Sequence, residues 1–352
     1  MTEFPIFDDV GSFPLPENVD KEVFTNFYWK AYSAIINGFD VFSHRGILSN
    51  VIEPIYSSLT KKLDAGVEVV NYPQHMNMYD QFLKPLQEYE KIVGLIEKEK
   101  AIIPEMNYLE KFAKENYEKT QEPLNIKICI SGPIELYIKR HSFTVYEDMA
   151  LNYAKSINHF IKNSLYSNKY IKTSTISIDE PSFGYVDLVN VEDDTLIRIF
   201  DKCLQNIDCI SQIHLHSLNH SNIPLRTENI DVLTCEYASD HSNVISKNLL
   251  DEHDKCIRVG ITRTDINGIM AEKLDRGMSH DELKTYNGLL SLIDSEEQIE
   301  NNLKVALNHY KDRLKFIGPD CGLSGWTPPQ LAFELLNRTA RVIQKVHNSY
   351  KA

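Results

Sequence analysis

Apolar residues recur along this chain with two different spacings. Short, nearly continuous apolar runs, of the kind a strand buried on both faces requires, alternate with longer stretches in which apolar positions return every three or four residues. The runs are Asp9-Val10 leading into Gly11-Ser12, then 67–71, 126–130, 175–178, 210–215, 232–235, 257–261 and 314–317. Between them, 146–166, 195–206, 296–311 and 331–346 carry helical periodicity, with Thr327 and Pro328 as cap and first turn of the last. Strand alternating with helix predicts parallel strands joined by crossover helices. Eight such repeats without a Gly-rich phosphate loop predict the α/β class and a closed (β/α)8 TIM barrel rather than an open doubly wound sheet. Two connections, 13–66 and 72–125, are long and themselves carry helical patterns, so extra helices are expected in the first two βα connections. No Gly/Ser-rich linker, repeat or low-complexity segment interrupts the pattern, and 1–352 reads as one barrel domain.

In such a barrel the chemistry sits where strands end. The ends predicted here are polar or turn-forming: Gly11-Ser12, Gln74, Ser131-Gly132-Pro133, Asp179-Glu180-Pro181, His214 and His216, Glu236, Arg263 with Asp265, and Asp320-Cys321-Gly322. An imidazole pair, a carboxylate and a thiol are a zinc-binding set, and at these spacings they converge only through the fold. Each has a plainer role when taken alone. A single histidine at a strand end is more often hydrogen-bonded structure than a ligand, and Cys321 alone is a small buried residue. Asp179-Glu180-Pro181 alone is a strand end and turn, and the glycines alone supply special backbone angles. Their joint occurrence at strand ends favours the metal reading. His216 shares a face with His214 by the strand period of two, whereas Cys235, beside Glu236, points to the opposite face. Tyr72 and His75 are placed on the rim of the site, Met76 and Met78 in packing under a loop, and His141, His220, His241 and His253 on surface loops.

Composition narrows the class of partner. Lys and Arg total 37 against 50 Asp and Glu, a net charge of −13, which repels polyanions and argues against nucleic acid or an anionic lipid surface. No apolar run approaches the ~20 residues that span a bilayer. The start, Met1 to Pro5, lacks the basic and apolar regions of a signal peptide, so a cytoplasmic, membrane-free protein is expected. Six cysteines without paired spacing suggest reduced thiols.

Gly11-Ser12-Phe13-Pro14, Asp179-Glu180-Pro181, the pair His214 and His216, Glu236 and Asp320-Cys321-Gly322-Leu323 together resemble the C-terminal catalytic barrel of cobalamin-independent methionine synthase, in that family's order along nearly the whole chain. In that family zinc held by His, Cys, Glu and Cys binds the thiol of homocysteine, which takes a methyl group to give methionine. The resemblance implies zinc ligation by His214, Glu236 and Cys321, with His216 where the family has Cys. It further implies that Asp179 holds the substrate amine, with Gln74 in place of a Glu, and that Gly11 and Ser12 hold the carboxylate. One thiolate fewer makes a bound zinc a stronger Lewis acid in a harder site, and His216 standing outside the ligand set is the alternative.

The family's folate-binding Trp is absent after Gly132-Pro133, with Lys139 near that place, and its N-terminal barrel has no counterpart here. Short single-barrel relatives look like enzymes that take methyl from a methylated corrinoid. The expected donor is therefore a methylcobamide or a corrinoid protein, with Lys139, Arg263 and Asp265 on the donor side. Methyltetrahydrofolate or a different thiol is the alternative. Two rivals remain: a metal-dependent amidohydrolase, whose His pair usually lies on the first strand, and a metal-free relative such as a porphyrinogen decarboxylase.

Overall fold

The computed structural model describes residues 3–351. Eight parallel strands form one curled sheet: β1 (Ile6–Phe7), β2 (Val70–Asn71), β3 (Leu124–Ser131), β4 (Ile171–Asp179), β5 (Ile210–His214), β6 (Val232–Cys235), β7 (Cys256–Thr262) and β8 (Leu314–Pro319). Each of β2 to β7 pairs in parallel with the next, and β8 pairs with β1. Ile, Val and Leu dominate these strands because helices cover the outer face while the barrel fills the inner one.

The circle closes between β1 and β2 through a single bridge, Asp8 to Val69, with Glu68 and Val69 N–H both donating to Phe7 O (2.9 and 3.2 Å). Side chains supply the hydrogen bonds that a ladder would have made. Asp9 accepts from Asn71 N (2.8 Å) and from Lys62 Nζ (2.7 Å), and the same ammonium donates to Gly11 O (2.6 Å) and Asn71 O (3.1 Å). Lys62, on helix Glu53–Asp64, is fully buried, and three acceptors around it offset the cost of desolvating its charge. This seam accounts for two corrections. The expected first strand at Asp9-Val10 lies earlier, at Ile6–Phe7, because Asp9 pairs through its carboxylate rather than its backbone. The expected strand 67–71 shortens to Val70–Asn71 because Val67 N turns back to Lys62 O (3.3 Å).

Inside the barrel the four odd strands each contribute one polar side chain to a common layer: Asp8 just after β1, Lys127 on β3, Gln212 on β5 and Arg258 on β7. Layers of four from alternate strands are how such barrels are filled, usually by branched apolar residues. Here Asp8 accepts from Arg258 Nε (2.6 Å), Lys127 Nζ (2.8 Å) and Gln212 Nε2 (3.2 Å), and all four side chains are buried. Removing the one carboxylate from a buried group of this kind strands two cations, at a typical cost of about 3–5 kcal/mol.

The long connections do carry extra helices, Lys21–Ile36 and Glu53–Asp64 in the first, Met78–Tyr89 and Pro104–Thr120 in the second. The second also holds a small antiparallel hairpin, Glu90–Ile92 with Leu95–Ile96, that the periodicity did not reveal. Phe24, Tyr28, Ile47, Val51, Ile52 and Tyr108 form a satellite core between the two insertions. Helices Glu147–Lys162, Asp193–Cys203 and Glu296–Tyr310 lie close to the expected ranges. The last helix starts at Pro329, not at Thr327 and Pro328. A residue preceding proline is disfavoured in the helical region, so Pro328 forms a bend outside the helix, its carbonyl accepting from Leu331 N (2.8 Å), and Pro329 takes the first turn. Among the described residues no helix is long and apolar enough to cross a membrane.

Candidate metal centre

The ends of β5, β6 and β8 bring His214, His216, Glu236 and Cys321 together. One potential ligand atom from each lies within 4.8 Å of all the others, and among the described residues no other group of three or more His, Cys, Asp or Glu does so. Cys321 Sγ is 3.5 Å from His214 Nε2 and 3.6 Å from His216 Nε2, and Glu236 Oε1 is 3.3 Å from His216 Nε2 and 4.0 Å from His214 Nε2. A tetrahedral zinc with bonds of about 2.0–2.3 Å has ligand-to-ligand edges of roughly 3.3–3.6 Å. Three of these four distances already match that range, and the fourth closes with a shift of a few tenths of an ångström. Glu236 Oε1 is buried without a hydrogen-bond partner, as an acceptor reserved for a cation would be.

Burial governs the electrostatics of the bare group. It holds both imidazoles well below or below their ordinary range, so both are neutral donors; for His214, His216 and Arg258 add to the effect. Burial, with Asp320 next, pushes Glu236 up to about 8, and burial with Glu236 nearby raises the Cys321 thiol. Such a donor set holds protons when bare and releases them to a dication, so metal binding is coupled to proton release.

The supporting contacts fix each donor. Thr234 Oγ1 accepts from Leu215 N (3.0 Å) and lies 3.1 Å from His214 Nδ1. An imidazole with Nδ1–H directed at that hydroxyl oxygen has its Nε2 lone pair free, aimed at the cluster. Asp320 accepts from Ala238 N (3.1 Å), Ser239 N (2.7 Å) and Ser239 Oγ (2.6 Å), tying the end of β8 to the loop that follows Glu236. Cys321 N donates to Thr264 Oγ1 (3.0 Å), and His216 O accepts from Asn243 Nδ2 (3.0 Å). Thr234, Asn243 and Thr264 were not anticipated. For Thr234 the available signal was a hydroxyl on a short buried strand, two residues before Glu236 and so on the same face. Cys235 lies outside the cluster, buried in the core, with its thiol raised by burial.

A cavity of about 630 Å³ opens over the cluster, lined by Ser12, Gln74, Asp179, His214, His216 and Cys321 among others. Burial pushes the Asp179 carboxyl up to about 7, and its Oδ1 has no partner. Gln74 Nε2 donates to Tyr72 OH (3.1 Å) and Cys129 O (3.0 Å). Its Oε1 sits over Gly11, where an added Cβ would lie 2.5 Å away, so a larger residue there would displace the Gln74 and Asn71 amides. Ser12 bridges to the β8 loop: its carbonyl accepts from Leu323 N (2.8 Å) and its hydroxyl from Ser324 N (3.3 Å). Glu180 stands behind the site, accepting from Ile134 N (3.0 Å) and Glu135 N (2.7 Å) at the start of helix Pro133–His141.

The donor-side residues divide. Lys139 is exposed at the rim, its ammonium 4.5 Å from the ring centre of Tyr79, which lines the cavity. Arg263 pairs with Glu272 (2.8 Å), and Asp265 caps helix Ile266–Asp275 by accepting from Gly268 N (3.1 Å), so both serve local structure outside the cavity wall. Tyr72 is fully buried beneath Gln74 instead of standing on the rim, whereas His75 does line the cavity, and Met76 packs in the satellite core as expected while also touching the cavity. His141 ends a helix and meets Tyr153 OH (3.0 Å). A larger space of about 1150 Å³ lies at the other end of the barrel, between Phe4, Glu68, His347 and Tyr350, remote from the cluster.

No protein-family model matches the chain. The methionine synthases of Sulfurisphaera tokodaii and Sulfolobus acidocaldarius are 24% and 23% identical to it over 216 and 214 residues, 60% of this chain and 54% of each relative. The chain thus spans about half the length of the curated relatives it matches. Among solved structures, a B12-independent methionine synthase from Shewanella, in complex with selenomethionine, superposes with a TM-score of 0.63 at 16% identity, covering 99% of both chains. A putative vitamin-B12-independent methionine synthase from Listeria monocytogenes superposes with a TM-score of 0.56 at 15% identity, covering 98% of this chain and 99% of its own.

Proposed function

We propose that this methionine synthase-like (β/α)8 barrel is a zinc-dependent methyltransferase that moves a methyl group to the thiol of homocysteine, forming methionine. The observation that carries the reading is the meeting of His214, His216, Glu236 and Cys321 on the floor of a cavity whose wall presents the unpartnered carboxylate oxygen of Asp179. The names of the archaeal relatives and of the two similar structures point the same way. A bound zinc ion supplies a Lewis acid that lowers the pKa of a ligating thiol, so that the nucleophile exists as thiolate at neutral pH.

The chain's own groups do the rest. Asp179, ionised, takes the substrate ammonium, and Gln74 Oε1 is a second acceptor beside it. Ser12, with the backbone around Gly11, receives the carboxylate. Thr234 keeps the His214 ring in its donor orientation, and Asp320 holds the Cys321 strand end against the loop after Glu236. Fixing the amino acid at two points directs its sulfur to the floor and leaves the open side of the cavity to the methyl donor. In the transfer a sulfur–carbon bond forms as the carbon–donor bond breaks, and the donor leaves with the electron pair. The hydrolase alternative, in which metal-bound water attacks, is disfavoured because its His pair usually lies on the first strand, whereas His214 and His216 stand at the end of β5.

For the donor we favour a methylcobamide or methylated corrinoid protein, on the ground that Lys139 stands near the place after Gly132-Pro133 where folate-dependent relatives carry a Trp. The B12-independent label of the Shewanella and Listeria proteins favours methyltetrahydrofolate as the second reading. The test is methionine formation by metal-analysed protein given homocysteine with methylcobalamin or methyltetrahydrofolate separately. Methionine from methylcobalamin alone, with one zinc per chain, supports the first reading, and methionine from the folate alone supports the second. Protein that holds no zinc after purification in zinc, and makes no methionine from either donor, would sink both.

A further inference from the structure

We infer that Lys21 is a specificity-determining residue of the cavity, pairing with the carboxylate of the amino-acid thiol; this rests on the homocysteine reading above. Lys21 is the one Lys or Arg among the cavity-lining residues, on a protein whose net charge is −13. The same residue, with His75 and Ser324, also lines an adjoining chamber of about 320 Å³ under the Phe13–Val19 loop, so it stands at the junction of the two spaces. It has no ion-pair partner within 4.0 Å among the described residues.

Its position runs against local preference. Lys21 opens helix Lys21–Ile36, with Asp20 as the cap accepting from Val23 N (2.9 Å), and a cation in a first turn opposes the helix dipole. Asp20 and Glu22 flank it and already satisfy the helix end, so the ammonium is left for a contact outside the helix, and a local rule broken beside a site is where a ligand contact is to be sought. The ligand is indicated independently by Asp179, nine-tenths buried, with an oxygen lacking any partner in the same cavity. The lining of one cavity thus holds the lone carboxylate of Asp179, the exposed Lys21 side chain and Ser12, with the sulfur and nitrogen donors of the cluster. A zwitterionic α-amino acid bearing a thiol satisfies all three points; a simple thiol or an amine-only thiol does not.

The experiment is calorimetric titration of the zinc-loaded full chain with L-homocysteine and with 3-aminopropane-1-thiol, which lacks the carboxylate, for wild type, Lys21→Met and Lys21→Arg. A charge pair made by an exposed lysine is worth about two- to fivefold in affinity. Lys21→Met should weaken homocysteine by about that factor and erase the wild-type preference over the carboxylate-free thiol, whereas Lys21→Arg should keep most of it. Unchanged homocysteine affinity in Lys21→Met, or equal losses for both thiols, would overturn the assignment. So would a Lys21→Met phenotype confined to the methyl donor. Wild type that binds neither thiol would overturn the homocysteine reading itself and this inference with it.

Discussion

Replacing Thr234 by Val keeps the shape and β-branching that suit a buried strand and removes only the hydroxyl. That oxygen takes the N–H of Leu215 at 3.0 Å and faces His214 Nδ1 at 3.1 Å, in a region closed to water. Leaving a buried backbone N–H without a partner costs roughly 1–3 kcal/mol, and the lost imidazole contact about 1 more, so the variant should be less stable by about 2–4 kcal/mol. For a chain of 352 residues the unfolding entropy is on the order of 0.7 kcal/mol per degree, so Tm should fall by about 3–6 °C. The second consequence is specific to the site. An imidazole that has lost the group fixing its tautomer samples both, and metal affinity should drop about 10- to 100-fold. Competition against a chromophoric chelator would read the affinity and a thermal melt of the metal-free protein the stability, with Thr234→Ser as the variant that restores both. A Thr234→Val protein that melts lower but binds zinc with wild-type affinity would refute the assignment of Thr234 as the group that orients His214.

Cys321→Ser should abolish tight zinc binding and with it methyl transfer, and full zinc occupancy at wild-type rate would remove the proposed centre. His216→Cys should retain zinc with a sulfur-richer absorption edge; an edge identical to wild type would place His216 outside the ligand set. The pH dependence follows from Asp179 and Asp320, whose carboxyls burial raises to about 7. A folded pKa above the unfolded value near 3.9 favours the protonated form in the folded state. These two groups therefore contribute stability that is complete below about pH 4 and lost as pH rises through 7. Thermal melts of metal-free protein should show that loss between about pH 4 and pH 7, and it should shrink in Asp179→Asn; an unchanged slope in that variant would exclude Asp179 as a source.

The barrel strands that make continuous ladders were legible as apolar runs, and the run 232–235 coincides with β6. The seam was not. Asp8, Asp9 and Lys62 read as polar, and nothing local to them says that a carboxylate and an ammonium replace a strand ladder; that is decided by partners distant in sequence. The charged layer of Asp8, Lys127, Gln212 and Arg258 was hidden for the same reason, since a strand period assigns each residue a face but not a partner. His214, Glu236 and Cys321 were legible because strand ends in a barrel all open on one face, so chemistry at several ends converges by topology alone. Thr234 and Thr264 were missed because a hydroxyl behind a ligand carries no signature of its own. Arg263 and Asp265 stood at a strand end and were drawn toward the site by that rule, but a helix cap and an ion pair claimed them.

The closure of the circle by one bridge divides the molecule mechanically. His214, Glu236 and Cys321 follow β5, β6 and β8, which belong to the run of paired strands from β2 round to β8 and on to β1. Ser12 and Gln74 follow the two strands that flank the seam. On the proposed function the metal donors thus stand on the ladder-paired strands and the amino-acid contacts on the side-chain-bonded seam, where a ligand held by Ser12 and Gln74 together would work as a second clasp beside Asp9 and Lys62. Its arrival should strengthen the hold of β1 on β2, coupling occupancy of the pocket to the integrity of the whole ring.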